Sequence, residues 1–431
     1  MKVVINNTAY TELKNISFAS EVDVVGGELP INEFSAEIKT DDTIAIGQYA
    51  YLYDESDNLW AKYWIVSADR YSDYGVTIVC QSDILILDRA PLEPAFFNAR
   101  NAANIITELF TGYSLNVSID SSLLTATITG YCPEQTARQR LQWICFVIGA
   151  YVKQDFADII QILPISDSIT PIFNDKIFYR PSIKYNDDVT AVSITSYAYT
   201  EGYPTTTDEW VKVDYYYYVQ TSRQLVVPNP NVSPLAPANV VEINDITLVN
   251  ENNEADILNR IASYYFNRTE ATVEVINNGE YSAGSKYAFD LGTGDIITGY
   301  ARSCDFSFGK NHKAKIDVRQ AVISAGVELD IVAKHNNTEI GRKVYYLPQG
   351  YSYSIDNPFY KKIGYENSGT ERVYATTIYR PQNTAASGTV GQDVTVNEQE
   401  YSIAVRKEDR ILKIYSVDIV DYDDAGVMTI T

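Results

Sequence analysis

The sequence predicts an α+β protein that is mainly β, in which two small antiparallel β-barrel domains flank an α/β domain and a β-rich C-terminal domain follows. Three observations predict this class. Alternation of apolar and polar residues, the period of a half-buried strand, recurs through most of the 431 residues. Apolar residues at helical spacing stand out in three segments. The 35 tyrosines favour strands and large contact surfaces.

The composition argues against several classes of protein. Lys and Arg total 34 against 56 Asp and Glu, a net charge of −22, which disfavours a protein that grips nucleic-acid phosphates. The 45% of hydrophobic and 21% of charged residues exclude wholesale disorder. With two His and four Cys, a His-rich metal enzyme and a disulfide scaffold are both disfavoured.

Residues 1–95 form the first predicted barrel domain. The segment 34–39 alternates in polarity, and segments 49–53 and 59–68 flank a polar turn, which predicts a hairpin. A turn at 73–75 precedes a strand at 76–81. Five or more strands in fewer than 100 residues favour a small antiparallel barrel or sandwich.

Residues 96–180 form the predicted α/β domain. A helix at 101–110 has one apolar stripe and ends near Gly112. A second helix follows Thr136, a residue suited to its N-cap, and ends at Gly149. Its apolar residues spread beyond one face, so we expect it to be mostly buried. Segments 151–156 and 159–164 predict a hairpin.

Residues 181–328 form the second predicted barrel domain, with one helix. Strands are expected at 192–197 and through much of 211–227, separated by a polar excursion, and the proline-rich segment 228–237 predicts a loop. After a helix at 254–266, strands are expected at 272–275, 287–291 and 296–305. The last strand pair is expected at 304–309 and 313–322. This segment shares a coarse plan with the first one, but no exact repeat is evident.

Residues 329–431 form the predicted C-terminal domain. Strong alternation at 350–354 and 373–379 predicts strands, and the small, polar segment 383–390 predicts a mobile loop. Segments 411–421 and 427–431 flank a turn and predict a terminal hairpin.

The sequence offers no catalytic, cofactor-binding or metal-binding residue. His312 and His335 both have the polar neighbours of exposed turns, outside any metal-ligand spacing. The segment 292–295 lacks the third glycine of a phosphate loop and is interpreted as a turn between strands. The acidic segment 421–426 resembles half of a calcium loop without its last ligand, so a hairpin turn is favoured. We therefore predict a protein without enzymatic activity.

The four consecutive tyrosines 215–218 allow two interpretations. In a strand they would alternate between the core and the outside, which favours packing and subunit contact over a platform for sugar rings. Cys80 and Cys145 lie in apolar runs and are expected to be buried thiols, and Cys132 and Cys304 are scattered, which suits a reducing cytoplasm. The N-terminal apolar run is too short for a signal peptide, and no run of about 20 apolar residues predicts a membrane helix.

Several segments, taken in order, resemble one family of proteins. These segments are 47–54 (GQYAYLYD), 81–89 (QSDILILDR), 136–145 (TARQRLQWIC), 149–152 (GAYV), 188–192 (DVTAV), and 299–309 with 313–315. Together they resemble the central hub of a phage-tail-like baseplate, the family that includes late control protein D and the PBSX-type prophage tail proteins. The resemblance covers residues 1–325, and residues 331–431 have no clear counterpart in a minimal hub.

This resemblance implies a structural role. Hubs of this family are homotrimers with two related barrels per subunit, which together give a pseudo-hexameric ring. Such a ring adapts a hexameric tail tube above to a trimeric spike or tail-tip protein below, with other baseplate proteins around it. The chain would be made in the bacterial cytoplasm and assembled into a contractile phage tail or a bacteriocin-like particle. If the ring has a bore, we expect an acidic wall that repels nucleic acid.

Two other functions remain open at this stage. A surface-binding β protein, such as a carbohydrate-binding module or tail fibre, predicts a cluster of exposed aromatic residues and no bore. A tail-associated cell-wall hydrolase predicts a catalytic site, for which residues 329–431 offer no signature beyond His335.

Overall fold

The structure is a computed structural model of the chain, in which fifteen ranges are described. They are residues 1–54, 57–154, 159–267, 269–276, 281–308, 313–335, 338–348, 352–356, 363–368, 373–381, 385–389, 394–408, 411–414, 417–418 and 429–430. Side chains are described up to residue 328 within these ranges and again at 344–348. The α+β, mainly β class is confirmed, and two compact units are present. The first comprises Met1–Thr170, Asp175–Tyr287 and Ile297–Val322; the second comprises Pro171–Asn174, Ala288–Ile296 and Ile323–Thr431.

The N-terminal strands form antiparallel pairs that bury every second residue. These strands are β1 (Lys2–Ile5), β2 (Thr8–Tyr10), β3 (Leu13–Glu21), β4 (Glu33–Ile38), β5 (Tyr49–Tyr53), β6 (Leu59–Ser72) and β7 (Gly75–Gln81). The predicted hairpin of β5 and β6 is confirmed, with β6 four residues longer than expected. In β4 the side chains of Phe34, Ala36 and Ile38 are buried, so the alternation of the sequence marks the core face.

An α/β segment follows the first strands. Its elements are β8 (Pro91–Leu92), β9 (Ala95–Asn101), α1 (Ala102–Gly112), β10 (Val117–Ile119), β11 (Thr127–Cys132), β12 (Gln135–Thr136), α2 (Ala137–Ile148), β13 (Ala150–Lys153) and β14 (Ile160–Pro164). The Thr136 side chain accepts a hydrogen bond from the amide of Gln139, whose side chain accepts one from the amide of Thr136, so the predicted N-cap is confirmed as a capping box. Gly149 ends α2 in the left-handed region, and most of the helix is buried as expected.

The chain then adds a separate sheet, a helix and more strands. The elements are β15 (Ile169–Ile172), β16 (Ser182–Tyr185), β17 (Ala191–Glu201), β18 (Glu209–Val213), β19 (Tyr216–Pro228), β20 (Val240–Ile243), α3 (Glu254–Tyr265), β21 (Thr269–Ile276), β22 (Lys286–Asp290), β23 (Asp295–Phe308) and β24 (Lys313–Ala325). Strands β18, β19, β17 and β20 form their own four-stranded sheet. The strands expected at 296–305 and 304–309 are one strand, β23, which corrects the sequence interpretation.

The remaining strands belong largely to the second unit. They are β25 (Val327–His335), β26 (Thr338–Leu347), β27 (Ser352–Asp356), β28 (Ile363–Ser368), β29 (Val373–Pro381), β30 (Ala385–Thr389), β31 (Val394–Glu408), β32 (Ile411–Ile414), β33 (Val417–Asp418) and β34 (Thr429–Ile430). The mobile loop predicted at 383–390 is wrong, because β30 lies there and pairs with β27. Its Ala, Ser and Gly residues have no apolar alternation that would predict a strand.

A buried polar cluster joins the α/β segment to the first strands. Gln154 is fully buried, and its side chain exchanges two hydrogen bonds with Asp83, at 2.9 Å to the Asp83 amide and 3.1 Å to the carboxylate. Its main-chain carbonyl accepts hydrogen bonds from the Tyr63 hydroxyl (2.6 Å) and the Asn32 amide group (3.1 Å). The two segments are thereby held in one arrangement, because breaking the cluster would leave buried polar groups unpaired.

Candidate assembly interface

Two sets of five strands have the same order within one continuous sheet. In the first set, the first module, the order is β3-β4-β7-β6-β5; in the second set, the second module, it is β16-β21-β24-β23-β22. Numbered along the chain, each module has the order 1-2-5-4-3. The second module carries the four-stranded sheet and α3 as an insertion between its first and second strands. The repeat that the sequence indicated only as a coarse plan is therefore present in the strand order.

The same pair of main-chain hydrogen bonds occurs in both modules. In each module it lies in the long fourth strand, β6 or β23, at the point where that strand's pairing with its third-strand neighbour ends. The Gly47 amide donates to the Ile65 carbonyl, and the Ile65 amide donates to the Gln48 carbonyl, both at 2.8 Å. In the second module, Gly284 donates to Ala301 (2.7 Å), and Ala301 donates to Ser285 (2.9 Å). Gly47 and Gly284 both have positive φ, 78° and 86°, a conformation that favours glycine. Ile65 and Ala301 are equivalent positions.

The modules join where β3 pairs with the second half of β23. This junction is antiparallel over six residue pairs, from Glu21 opposite Ser303 to Ile16 opposite Phe308. Phe18 lies opposite Phe306, with ring centroids 5.8 Å apart, and both rings are buried. Trp60 packs edge-on against Phe306 at 5.2 Å. The junction is therefore part of the hydrophobic core, where aromatic burial stabilises it strongly.

The other face of this sheet, the open face, is polar. Its carboxylates are Glu21, Glu33, Glu37, Asp69, Glu270, Glu274, Asp305 and Asp317, and its basic residues are Lys2, Lys14, Lys62, Lys184, Arg302, Lys313, Lys315 and Arg319. Several of these groups form ion pairs, such as Arg302 with Glu21 at 2.8 Å and Lys313 with Glu274 at 3.3 Å. The eight carboxylates are matched by eight basic groups along these strands, so the open face is densely charged but close to neutral overall.

Asp305 is a partly buried carboxylate on the open face. Partial burial raises the pKa of its carboxyl above the usual 3.8, and the nearby charge of Asp317 raises it further. Lys315 opposes these effects. The Asp317 carboxylate accepts hydrogen bonds from the hydroxyl groups of Thr272 (2.6 Å) and Ser303 (3.4 Å), which lie on the two neighbouring strands.

Exposed aromatic residues collect on the hairpin of β18 and β19. Tyr217 lies with its ring centroid 5.5 Å from Trp210 and 5.7 Å from Tyr203, and the Lys212 ammonium lies 5.4 Å over the Tyr217 ring. Tyr203 is 89% exposed. Of the four consecutive tyrosines, Tyr215 lies outside the strand: it forms the hairpin turn with Asp214, whose φ is positive.

The tyrosines beyond this turn alternate as expected. Tyr218 points away from the exposed cluster and stacks on Phe96, with ring centroids 3.9 Å apart. Tyr217 faces the exposed cluster. Burial raises the pKa of Tyr218, and the charge of Glu201 adds to the effect.

A cleft of about 450 Å³ in the first unit includes five carboxylates and four aromatic rings in its lining. Burial raises the pKa of Asp23 in this cleft above its usual value. However, both Asp23 carboxylate oxygens accept main-chain hydrogen bonds, from Val25 (3.0 Å) and Glu28 (2.8 Å). These bonds hold the loop between β3 and β4, so the position of Asp23 is explained by loop structure.

The residues weighed in the sequence fall into three groups. Gly292 to Asp295 form the turn between β22 and β23, as expected, with positive φ at Gly292 and Gly294. All four cysteines are buried, which confirms the expectation for Cys80 and Cys145. His312, the His335 side chain and the segment 421–426 lie outside the described residues. Sequence reasoning missed the junction, because long-range strand pairing leaves no local pattern.

Two further observations concern the described ranges alone. No group of three His, Cys, Asp or Glu side chains within them is arranged to hold a metal ion. None of their helices is both long enough and apolar enough to cross a membrane.

The fold is similar to that of solved phage tail proteins. The 43 kDa tail protein of prophage MuSo2 from Shewanella oneidensis matches with a TM-score of 0.53 at 12% identity, covering 74% of this chain and 98% of that one. A tail protein from Neisseria meningitidis MC58 matches with a TM-score of 0.51 at 10% identity, covering 74% and 95%. No family model matches the chain, and no curated protein matches its sequence. The chain thus has the fold of phage tail proteins, and the resemblance seen in the sequence is confirmed at the level of the fold.

Proposed function

We propose that this protein is the central hub of a contractile phage-tail-like baseplate, with a structural and non-enzymatic role. The observation that carries the proposal is the repeated strand order of two modules within one continuous sheet. The fold likeness to phage tail proteins supports it. The chain would be part of a tail or of a headless tail-like particle.

The repeat explains how three chains could imitate sixfold order. Three copies bring six modules, and a head-to-tail contact between copies closes into a ring when the rotation per copy is 120°. In this proposal six similar modules contact a hexameric tail tube above. Whole chains keep threefold order, which matches a trimeric spike or tail-tip protein below. Residues 329–431 form the proposed docking domain for that spike.

The open face would line the bore of the ring. The core face is covered by buried apolar side chains, so the polar face is the one that can border water. The acidic wall that would repel nucleic acid during passage is proposed from the net charge of −22 of the whole chain, since the charged groups of this face balance one another. A ring whose bore has a neutral or positive electrostatic potential would contradict this part of the proposal.

Native mass spectrometry of the full chain tests the proposal. We expect a species of three chains, which forms a larger complex when the cognate tube and spike proteins are added. A chain that stays monomeric within assembled particles would contradict it.

A peptidoglycan-clearing assay on the full chain tests the non-enzymatic role, and turnover by the purified chain would overturn that role.

The exposed aromatic cluster favours a second candidate function, the binding of a cell-surface carbohydrate. Rings such as Tyr203 and Trp210 can stack on sugar rings. If this function holds, soluble surface polysaccharide quenches tryptophan fluorescence, and W210A lowers the affinity about tenfold or more. L235A, which removes an exposed apolar side chain elsewhere, is the control. A wild-type chain that binds no polysaccharide would reject this candidate.

A further inference from the structure

Each module leaves one strand edge without a strand partner among the described residues. Strand β6 pairs with β5 through residues 59–64 and with β7 through residues 64–72, so residues 66–72 have one free edge. Strand β16 pairs with β21 on one edge only. In the internal junction the equivalent strands, β23 and β3, fill each other's free edges. The free edges of β6 and β16 therefore lack the strand partner that the equivalent edges have at the internal junction.

The strand registers determine which residues of the two modules are equivalent. In the first module, Phe18 lies opposite Phe34, and Phe34 lies opposite Cys80, which lies opposite Ile65. In the second module, Ile183 lies opposite Ala271, and Ala271 lies opposite Val318. The neighbouring residue Asp317 contacts Ser303 at 3.4 Å, which places Val318 beside Ala301. Each series of directly opposite residues ends at the position with the repeated hydrogen bonds, Ile65 in the first module and Ala301 in the second. The first residue of each series is therefore equivalent, so Ile183 corresponds to Phe18.

The internal junction then gives the register of a second one. Phe18 lies opposite Phe306, which is five residues beyond Ala301. The equivalent position, five residues beyond Ile65, is Arg70. We propose that β16 of one copy pairs antiparallel with residues 66–72 of β6 in a neighbouring copy, with Ile183 opposite Arg70 and Lys184 opposite Asp69. This contact, the closing seam, rests on the proposed ring and names the surfaces that close it.

The charges at the seam are complementary. The register brings the Asp69 carboxylate opposite the Lys184 ammonium, and both side chains lie on the open face and are exposed in the single chain. Within the chain, Asp69 accepts a hydrogen bond from Ser67 (2.6 Å), and Lys184 lies 3.7 Å from Glu270. Directly opposite residues of unlike charge stabilise strand pairs. The register that brings these two opposite charges together follows from the equivalence of the strands alone.

Exposed apolar side chains border both free edges. Val66, Tyr71 and Tyr74 lie along or just beyond the free edge of β6, and Phe178, Tyr179 and Tyr185 lie beside or in β16. Aromatic residues are enriched in the cores of protein interfaces. The Arg70 guanidinium donates to the carbonyls of Asp41 (3.1 Å) and Asp73 (3.0 Å), so its charged end is already bound and its apolar stem can cover Ile183.

Disulfide trapping tests the seam in the full chain. We expect the double variant Asp69→Cys with Lys184→Cys to give a covalent trimer under mild oxidation, since directly opposite residues place their Cα atoms about 4.5–5.5 Å apart, within the range that a disulfide spans. The four native cysteines are buried and give little background. Each single variant, and Asp69→Cys combined with Tyr203→Cys, should stay non-covalent. A covalent dimer that never extends to a trimer, or no crosslink at all, would overturn the seam.

A charge exchange provides a second test that does not depend on disulfide geometry. D69K or K184D alone should raise the concentration at which trimers form by about tenfold or more, and the D69K/K184D double variant should restore it. A double variant as weak as either single variant would contradict the register.

Native mass separates the seam from the proposed ring. If the wild-type chain forms a trimer but the Asp69→Cys/Lys184→Cys variant gives no crosslink, the seam alone is overturned. If the wild-type chain never forms trimers, the proposed ring is overturned as well.

Discussion

Asp305 shows how a single charge can weaken this fold at neutral pH. Its carboxyl has a raised pKa, because burial and Asp317 disfavour the ionised form. A pKa above that of the unfolded chain means that ionisation costs folding free energy. The cost is fully present above the raised pKa, and it is relieved as the pH falls toward 3.8, the usual value.

We therefore expect D305N to raise the melting temperature at pH 7, with a gain that shrinks as the pH approaches 4. Asp120 provides a control of opposite sign, because hydrogen bonds from Ser122 lower the pKa of its carboxyl. D120N should lower the melting temperature at pH 7. Thermal unfolding of both variants across pH 4–7 measures this, and a D305N protein that is less stable than wild type at pH 7 would contradict the account.

At this scale the sequence predicts burial well and turns less well. Alternation identifies the core side chains of β4, and apolar runs identify Cys80 and Cys145 as buried. The turn at Asp214 and Tyr215 has no glycine or proline, so nothing in the tyrosine run marks it. The matching roles of Gly47 and Gly284 depend on hydrogen bonds to distant residues, which local patterns do not contain.

The pairing of β3 with β23 makes the two modules depend on each other for stability. We expect F306A to lower the free energy of unfolding by about 3–5 kcal/mol, because it empties a buried site between Phe18 and Trp60. I46A, which truncates an apolar side chain that is 65% exposed, should cost far less. Chemical denaturation gives both values. Equal losses for the two variants would show that the junction contributes little.

The sequence correctly predicts elements with strong periodicity, but it does not predict elements that depend on pairing between distant strands. Helix α2 begins after Thr136 and ends at Gly149 as predicted, because caps and an apolar surface are local features. The sequence predicts two strands where β23 is one continuous strand. The partner of β23 changes from β22 to β3 along its length, and a local pattern contains no information about such a change. Strand β30 has a loop-like composition and is held by pairing with β27.

At the scale of the whole molecule, the sequence gives the fold class but hides the repeat. The second module contains an insertion of the four-stranded sheet and α3 between its first two strands, whereas the first module has a short loop there. No fixed sequence period can survive such an unequal insertion. The repeat becomes visible only in strand order and in shared hydrogen bonds. The division of the chain into four domains, and the docking role of residues 329–431, remain predictions.

Electron microscopy of the purified chain, averaged along the axis of its oligomer, tests the central claim most directly. The account predicts a closed annulus with six similar lobes of two alternating kinds, each subunit supplying one adjacent pair. An image with three lobes only, or with no annulus around an open centre, would contradict it.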